Sequence, residues 1–297
     1  MKHENNRSVT INEENYTTQT LSDRDVFSIH NSFNQTKSQL SQLALDIFFL
    51  LVTQIKIEDD ELFLYETSLS EIQRKLGRRI KIESIKEAGQ ELLDTDFVFK
   101  IDDALIHTQL LSIFEYNGGT VYLKLNDNLI DIVINPRKAY TVASFKELVS
   151  LKSVYTKRIY LLLKQFAASK EFVMHLSHIY KILNLENKYE RYSHFKSKIL
   201  NPAIKSINEQ TSLKISIYEH LKNRTVQRIK FDINSPLKQP KIPKYKKNSS
   251  LKNLIDWVNQ DQPINAQEVS KYKESRSDFY SLMDWVHQEQ FIDTEVA

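Results

Sequence analysis

A group of cationic and hydrogen-bonding side chains recurs at helical spacing between residues 191 and 205. At 100° per residue these side chains share one arc of a predicted helix, the reading helix, and apolar side chains share the other arc. The polar arc consists of Arg191, His194, Ser197, Lys198, Asn201 and Lys205, and the apolar arc of Tyr192, Phe195, Ile199, Leu200, Ala203, Ile204 and Ile207. Side chains of the polar arc are of the types that bond to base edges and to phosphates. The chemistry predicted for this arc is therefore nucleic-acid binding.

The residues after the reading helix alternate with a period of two, which is typical of strands. Apolar residues occupy alternating positions on both sides of a predicted turn at residues 221–225, which carries Lys222 and Arg224. A helix followed by a basic-tipped hairpin predicts a winged helix, in which the helix fits the major groove and the hairpin, or wing, contacts flanking phosphates. The alternative is an amphipathic helix with a solvated basic face beside an ordinary hairpin.

Positive charge is concentrated in the middle third of the chain. The 297 residues have a net charge of +3, but residues 151–250 hold 21 basic and 6 acidic residues, a net charge of +15. The first 150 residues carry −7 and the last 47 carry −5. Such a concentration of positive charge is expected of a surface that binds a polyanion. A surface that is basic only for solubility would explain no more than a modest excess of basic residues.

The residues that common catalytic centres need are missing from the sequence. There is no cysteine, so the chain has no disulfide and no thiolate, and a reducing cytoplasm is expected. With only four glycines it contains neither GxxxxGK nor GxGxxG. His175 and His178 lack the His-x-His spacing of a nicking enzyme, and the consecutive acids at 58–61 resemble a solvated turn more than a two-metal site. We expect no enzyme activity, no cofactor and no metal.

No segment of the sequence is predicted to cross a membrane. The most apolar run, residues 43–52, contains Asp46 and is about half as long as the roughly 20 residues that span a bilayer. The N-terminus does not resemble an export signal. A soluble, cytoplasmic protein is expected.

A second pattern of helices followed by a hairpin occupies the first half of the chain. Apolar residues at 40–55 predict a buried helix. Ser68 and Glu71 have the spacing of a capping box at the start of a second, short helix, and Gly77 is placed to end that helix. A further helix is predicted from Ile82, followed by strands at FVFKI, LLSIFEY and TVYLKL. This order again predicts a winged helix.

A weak internal repeat relates the two patterns. LSEIQRKLG at residues 69–77 and LSHIYKILN at 176–184 match at Leu, Ser, Ile and Leu, 107 residues apart. Residues 140–167, between the two patterns, are predicted to form one long helix that packs in the second core. Because this helix would occupy most of the chain between the two patterns, we expect no long flexible linker between the two domains.

The predicted fold is α+β and mostly helical, with two tandem winged-helix domains in a pseudo-twofold relation and a small C-terminal helical appendage. Residues 1–21 are expected to be flexible, 22–137 to form the first domain and 138–234 the second. Residues 235–250, with three prolines and five lysines, predict an extended linker, either along a phosphate backbone or simply solvated. Residues 251–297, with Trp257 and Trp285, predict a short helical hairpin.

Residues 22–234 resemble the iteron-binding plasmid replication initiators. The sequence features that carry the resemblance are Arg158-Ile159-Tyr160, Phe195-Lys196 with Ile199, Ile207-Asn208, and Arg224 with Phe231. On these features the second unit resembles the C-terminal winged helix of that family, and the first unit, with VFSIHNSF and LSEIQRKLG, looks like the N-terminal one.

The resemblance implies that the second unit reads the major groove of short direct repeats, and that the first contacts mainly the DNA backbone. The base-reading residues expected by position are Arg191, His194, Ser197 and Lys198. The expected phosphate ligands are Lys196, Asn201, Lys205, Lys222 and Arg224 in the second unit and Arg78, Arg79, Lys81 and Lys86 in the first. Pro202 is expected to remove a backbone hydrogen bond to Lys198 and to bend the reading helix.

The resemblance further implies double-stranded DNA as the partner, at direct repeats of a replication origin and at an inverted repeat of an operator. It implies a dimer of the chain, joined through the first unit, and contacts with a host helicase, a host initiator and chaperones. Two other functions are possible alternatives to replication initiation. One is a winged-helix repressor without initiator activity, and the other, disfavoured, is a nicking or priming enzyme that cleaves single strands with a metal.

Overall fold

The computed structural model of the chain describes residues 16–37, 39–56, 59, 61–101, 104–134 and 140–234. The predicted linker at 235–250 and the predicted helical hairpin at 251–297 lie outside the described residues, as does most of the predicted N-terminal segment.

The first unit contains a buried helix, a helix-turn-helix and two hairpins. Its elements are β1 (Thr18–Thr20), β2 (Val26–His30), α1 (Asn31–Gln35), α2 (Gln42–Val52), β3 (Leu64–Ser68), α3 (Leu69–Leu76), α4 (Ile82–Asp94), β4 (Phe97–Ile101), β5 (Ala104–Thr108), β6 (Leu111–Asn117) and β7 (Thr120–Leu125). The Ser68 hydroxyl accepts a hydrogen bond from the Glu71 N–H at 3.2 Å, and Gly77 ends α3 with φ of 64°. Both predicted boundaries of α3 are therefore confirmed.

The segment between the two units is divided into several elements. They are a 3-10 turn (Asp127–Leu129), α5 (Ile130–Val133), β8 (Tyr140–Ser144), α6 (Phe145–Ser150) and α7 (Val154–Gln165). The prediction of one long helix over residues 140–167 is wrong. The β-branched Thr141 and Val142 extend along β2, and the Ser144 hydroxyl caps α6 by accepting a hydrogen bond from the Glu147 N–H.

The second unit repeats the order of a strand, two helices and a hairpin. It consists of β9 (Glu171–His175), α8 (Leu176–Ile182), the reading helix, β10 (Lys214–Lys222) and β11 (Thr225–Asn234). The reading helix has three consecutive parts, which are α9 (Tyr192–Phe195), a π-helical turn (Lys196–Leu200) and α10 (Asn201–Gln210).

The two units share one sheet topology. In the first unit β7 lies between β3 and β6, and in the second β11 lies between β9 and β10, with every one of these pairs antiparallel. The strand before each helix-turn-helix therefore pairs with the last strand of the unit. β1 adds a parallel strand beside β3, while β2–β8 and β4–β5 form separate two-stranded sheets. This confirms the predicted α+β fold with two winged-helix units.

One continuous hydrophobic core runs through both units. Residues 44–52 of α2 are all buried, as the apolar pattern predicted, and Phe33 stacks on Phe48 with ring centroids 4.9 Å apart. The same core includes Tyr160 of α7 and Phe195 of the reading helix. None of the helices in the described part of the chain combines the length and the hydrophobicity that a membrane span requires.

A buried ionic cluster joins α2 to α7. The side chain of Asp46 is 1% exposed and that of Lys157 is fully buried, with Asp46 Oδ1 accepting a hydrogen bond from Lys157 Nζ at 2.6 Å. Asp46 Oδ2 accepts from Arg78 Nη2 at 2.9 Å, and Lys157 Nζ donates also to the Leu148 carbonyl at 2.7 Å. Burial raises the pKa of Asp46 and lowers that of Lys157, and the charge of each residue opposes the shift of the other.

Arg158, the neighbour of Lys157, makes a second buried connection. Its side chain donates hydrogen bonds to the backbone carbonyls of Thr36, after α1, and of Ile182, at the end of α8. Burial lowers the pKa of Arg158 to about 10. Two adjacent residues of α7 thus bind α2, the segment after α1, and the ends of α6 and α8.

Replacing Lys157 with Met should lower the free energy of unfolding by about 3–5 kcal/mol, because Asp46 then keeps a buried charge with only Arg78 as partner. Urea denaturation measures this decrease. Asp46→Leu combined with Lys157→Met should recover much of it, since no uncompensated carboxylate remains. As a control, Lys37→Met removes the exposed pair with Glu186 and should cost about 0–1 kcal/mol. Equal decreases in the Lys157 and Lys37 variants would contradict the importance of the buried pair.

Candidate nucleic-acid interface

The spacing of buried residues explains the π-helical turn in the reading helix. Phe195 and Leu200 are both fully buried although they are five residues apart. In a regular α-helix five residues turn through 500°, which would leave the two side chains about 140° apart. The wider π turn, in which the Asn201 N–H donates to the Lys196 carbonyl, brings both side chains into the core.

Pro202 lies directly after this turn and has no N–H to donate to the Lys198 carbonyl. The helix is irregular here because a π-helical turn precedes Pro202, while the bend at Pro202 stays a prediction. Because of this π-helical turn, the side chains of residues 191–198 are rotated about the helix axis relative to those of residues 201–210, compared with their positions in a regular α-helix.

All six residues of the predicted polar arc have exposed side chains: Arg191, His194, Ser197, Lys198, Asn201 and Lys205. Within the described residues, Arg191 and Lys198 take part in no ion pair. Lys205 lies 3.9 Å from Glu209, and the Ser197 hydroxyl donates to the His194 carbonyl at 3.1 Å. The arc thus presents hydrogen-bond donors and two cations that are available to a ligand.

Lys196, predicted as a phosphate ligand, lies beside this arc and is paired with an acid of the wing. Its Nζ is 2.6 Å from Glu219 Oε1 on β10, and the Tyr192 hydroxyl donates to the same oxygen at 2.7 Å. The hydrogen bond from Lys196 lowers the pKa of Glu219, against the effect of its partial burial. Burial and the bond to Glu219 raise the pKa of Tyr192. The reading helix and the wing are therefore joined through Glu219.

The wing ends in a two-residue turn that projects its cations into solvent. Lys222 pairs with Thr225, and Asn223 and Arg224 between them both have positive φ, 52° and 62°. Positive φ at both central residues is the pattern of a type I′ turn, which suits the twist of a hairpin. Arginine has no conformational preference for this region, unlike glycine or asparagine. The side chains of Lys222 and Arg224 are exposed at the tip.

Two polar residues fix the C-terminal end of the reading helix. Asn208 accepts from the Ile215 N–H at 2.6 Å and donates to the Ile215 carbonyl at 2.9 Å, which ties α10 to β10. Glu147 of α6 accepts from the Ser212 N–H at 2.7 Å and from the Tyr160 hydroxyl at 2.6 Å. Sequence reasoning gave Asn208 only through the resemblance and missed Glu147 and Glu219, because nothing local marks a residue whose partners are distant.

The predicted phosphate ligands of the first unit lie on its helix-turn-helix. Arg79, Lys81 and Lys86 are exposed, and Lys86 Nζ lies 4.9 Å from the centre of the Tyr116 ring. Arg78 is half-buried and bound to Asp46. Glu83 and Glu87 are exposed on the same helix, α4, and so reduce its positive charge.

The geometry around the two histidines does not resemble a metal centre. His175 and His178 have ring centroids 5.9 Å apart, and Arg228 Nε donates to His175 Nε2 at 3.0 Å. Among the described residues there is no group of three or more His, Cys, Asp or Glu side chains that is arranged to hold a metal ion.

Comparison with known proteins identifies the fold of both units. The chain is similar to the crystal structure of the Pi initiator protein in complex with iteron DNA, with 17% identity, a TM-score of 0.64, and coverage of 73% of this chain and 100% of that one. It is also similar to a structure of SeMet derivatives of domain 2 and domain 3 of RctB, at 11% identity, a TM-score of 0.41, and coverage of 66% and 81%. The second similarity is too low to bear on function. A search of curated proteins finds no significant match.

Two family models match most of the described chain. The model of the initiator replication protein WH1 domain matches residues 27–164, and the model of the initiator Rep protein WH2 domain matches residues 176–233. The first match covers most of the first winged-helix unit and the segment between the units, and the second match falls within the second unit, in the order that the resemblance predicted. The chain belongs to the initiator replication protein family, whose members combine a WH1 and a WH2 winged-helix domain.

Proposed function

We propose that the chain initiates replication of a plasmid by binding direct repeats, or iterons, in double-stranded DNA at the origin. The observation that carries this function is the exposed arc of cationic and hydrogen-bonding side chains on the reading helix, beside a basic wing. Support comes from the family and from the Pi initiator protein, which has the same fold and whose structure contains iteron DNA.

In this function the reading helix enters the major groove with the side chains of Arg191, His194, Ser197 and Lys198 facing the bases. Arg191 and Lys198 suit the O6 and N7 acceptors of guanine, which are the commonest partners of cationic side chains. Ser197 and His194 can donate or accept and so discriminate less strongly between bases. All four side chains are exposed, which is the condition for this role.

The proposed phosphate ligands surround this base-reading surface. They are Asn201, Lys205, Lys222 and Arg224 in the second unit and Arg79, Lys81 and Lys86 in the first. Arg78 is the weakest candidate of the first unit, because Asp46 binds its guanidinium. Lys196, the remaining predicted phosphate ligand, has its ammonium group bound to Glu219.

We propose further parts of this function, most of them on the strength of the family resemblance. The chain acts without a catalytic step, opening or straining DNA and recruiting a host helicase, a host initiator and chaperones. It forms a dimer through the first domain, residues 22–137, and represses its own gene at an inverted repeat. It works in the cytoplasm, and residues 138–234 form the domain that reads the sequence.

A replication assay tests initiation directly. A DNA circle that carries the repeats flanking this gene, and no other origin, should be maintained only when the chain is supplied. Binding to the repeats without maintenance would identify a repressor on the same scaffold. Cleavage of single strands with magnesium or manganese would instead support a nicking enzyme.

Arg191→Ala and Lys198→Ala should each weaken binding to the repeats by roughly 1–3 kcal/mol, because each removes a hydrogen-bonding group from the base-reading surface. The weakening on a scrambled duplex should be smaller. Fluorescence anisotropy with both DNAs measures the two affinities. Gln210→Ala, an exposed position at the far end of the same helix, is the control and should change neither affinity. Equal weakening on both DNAs would show that these residues contact phosphates instead.

Replacing both Lys222 and Arg224 with Ala should weaken binding to all duplexes alike, because phosphate contacts carry no sequence information. The slope of log K against log salt concentration should flatten by about 0.9 for each phosphate that is left without its cation. Salt titration of binding measures this slope. Lys230→Ala, on the same hairpin, is the matched control, since Glu171 already binds its ammonium at 2.8 Å. An unchanged slope in the double variant would mean that the wing does not contact DNA.

A further inference from the structure

Glu219 places a carboxylate inside the cationic surface proposed for DNA. It lies on β10, opposite Ile229 in the register of the wing, and both of its hydrogen-bond donors come from the reading helix. Tyr192 and Lys196 are four residues apart and therefore adjacent on one side of that helix. The acid thus binds directly to the element that is proposed to read the bases.

The other acids of this surface are placed differently. Residues 191–234 contain three acidic residues, Glu209, Glu219 and Asp232. Glu209 is exposed towards the end of α10, and Asp232 lies 3.4 Å from Lys230 on its own strand. Of the three, Glu219 alone binds the N-terminal half of the reading helix. A general acidic surface does not explain this arrangement.

Pairing with Glu219 changes what Lys196 can contribute to DNA binding. Lys196 lies in the chain between His194 and Ser197, and its side chain is 39% exposed, so a phosphate beside the groove would be within reach of the released ammonium. Lysine is a flexible point charge that adapts to many positions of a phosphate. Such an interaction would strengthen binding to every duplex, whatever its sequence.

We propose that Glu219 is a specificity-determining residue that holds Lys196 away from DNA phosphates. The reading helix then binds through its base-reading side chains, without an additional sequence-independent cation. This role rests on the proposed function, because it presumes that the helix and the wing meet DNA. Tyr192 acts as a positioning residue, since its hydroxyl fixes the carboxylate oxygen that binds Lys196.

Glu219→Gln and Lys196→Gln separate this role from that of a simple structural pair. Glutamine keeps the shape of Glu219 and still accepts from Tyr192, but it releases the ammonium of Lys196. Glu219→Gln should steepen the salt slope by about 0.9, the value for one neutralised phosphate, and tighten binding to scrambled duplex about tenfold at about 0.1 M salt. The tightening on repeat DNA should be smaller, because base contacts already fix the position of the helix there. Lys196→Gln alone should leave the slope unchanged.

Two further variants of the full chain complete the experiment. In Glu219→Gln combined with Lys196→Gln, the tighter binding to scrambled duplex should disappear, because Glu219 acts through Lys196. Glu209→Gln removes the same charge from the same surface and should not change the salt slope.

Three results would overturn the role of Glu219. They are a slope flattened by about 0.9 in Lys196→Gln, equal tightening in Glu209→Gln and Glu219→Gln, and tightening that persists in the double variant. The slope of Lys196→Gln tests the role of Glu219 even if Glu219→Gln does not fold. Circular dichroism shows whether each variant is folded. A wild-type chain that does not prefer the repeats would contradict the proposed function, while the slopes on scrambled duplex would still test Glu219.

Discussion

The buried ion pair between Asp46 and Lys157 constrains how α2 packs against α7, because removing either partner alone would leave an uncompensated charge in the core. Two charges without solvent are stable only when each satisfies the other, so α2 and α7 must meet at one position and in one register. Arg78 shares the carboxylate and thereby connects the helix-turn-helix of the first unit to the same point. The apolar core around these residues is continuous and its attraction is non-directional, whereas the hydrogen bond between Lys157 and Asp46 requires a particular distance and orientation.

A second constraint shapes the reading helix. Its buried residues Phe195 and Leu200 are five apart, which in a regular α-helix would put them about 140° apart at the two sides of the apolar arc, and Pro202 removes a hydrogen bond immediately afterwards. The π-helical turn satisfies both conditions and changes the direction in which residues 191–198 point. π turns occur frequently at functional sites, where a local change of direction orients side chains. Here the requirement comes from packing and the effect falls on the proposed base-reading surface.

Polar interactions with neighbouring elements hold this helix in place at both ends. Asn208 and Glu147 fix its C-terminal end to β10 and to α6, and Glu219 joins its N-terminal half to the wing. Because the helix and the wing are linked through one carboxylate, a shift of the wing changes the environment of Lys196. The reading helix and the wing are therefore coupled through Glu219 and do not act as separate elements.

The sequence by itself determined the helices and the hairpin of each winged-helix unit and the exposed arc of the reading helix. Both depend on periodicity and on local signals, such as the cap at Ser68, the left-handed Gly77 and the turn at Gly118-Gly119, which act between neighbouring residues. Tertiary structure decided the rest, because the partners are far apart in the chain. Residues 140–144 form a strand because they pair with β2. Asp46 binds Lys157, which is 111 residues away in the chain. Lys196 binds Glu219 of the wing, a partner that the helical pattern of the reading helix could not identify.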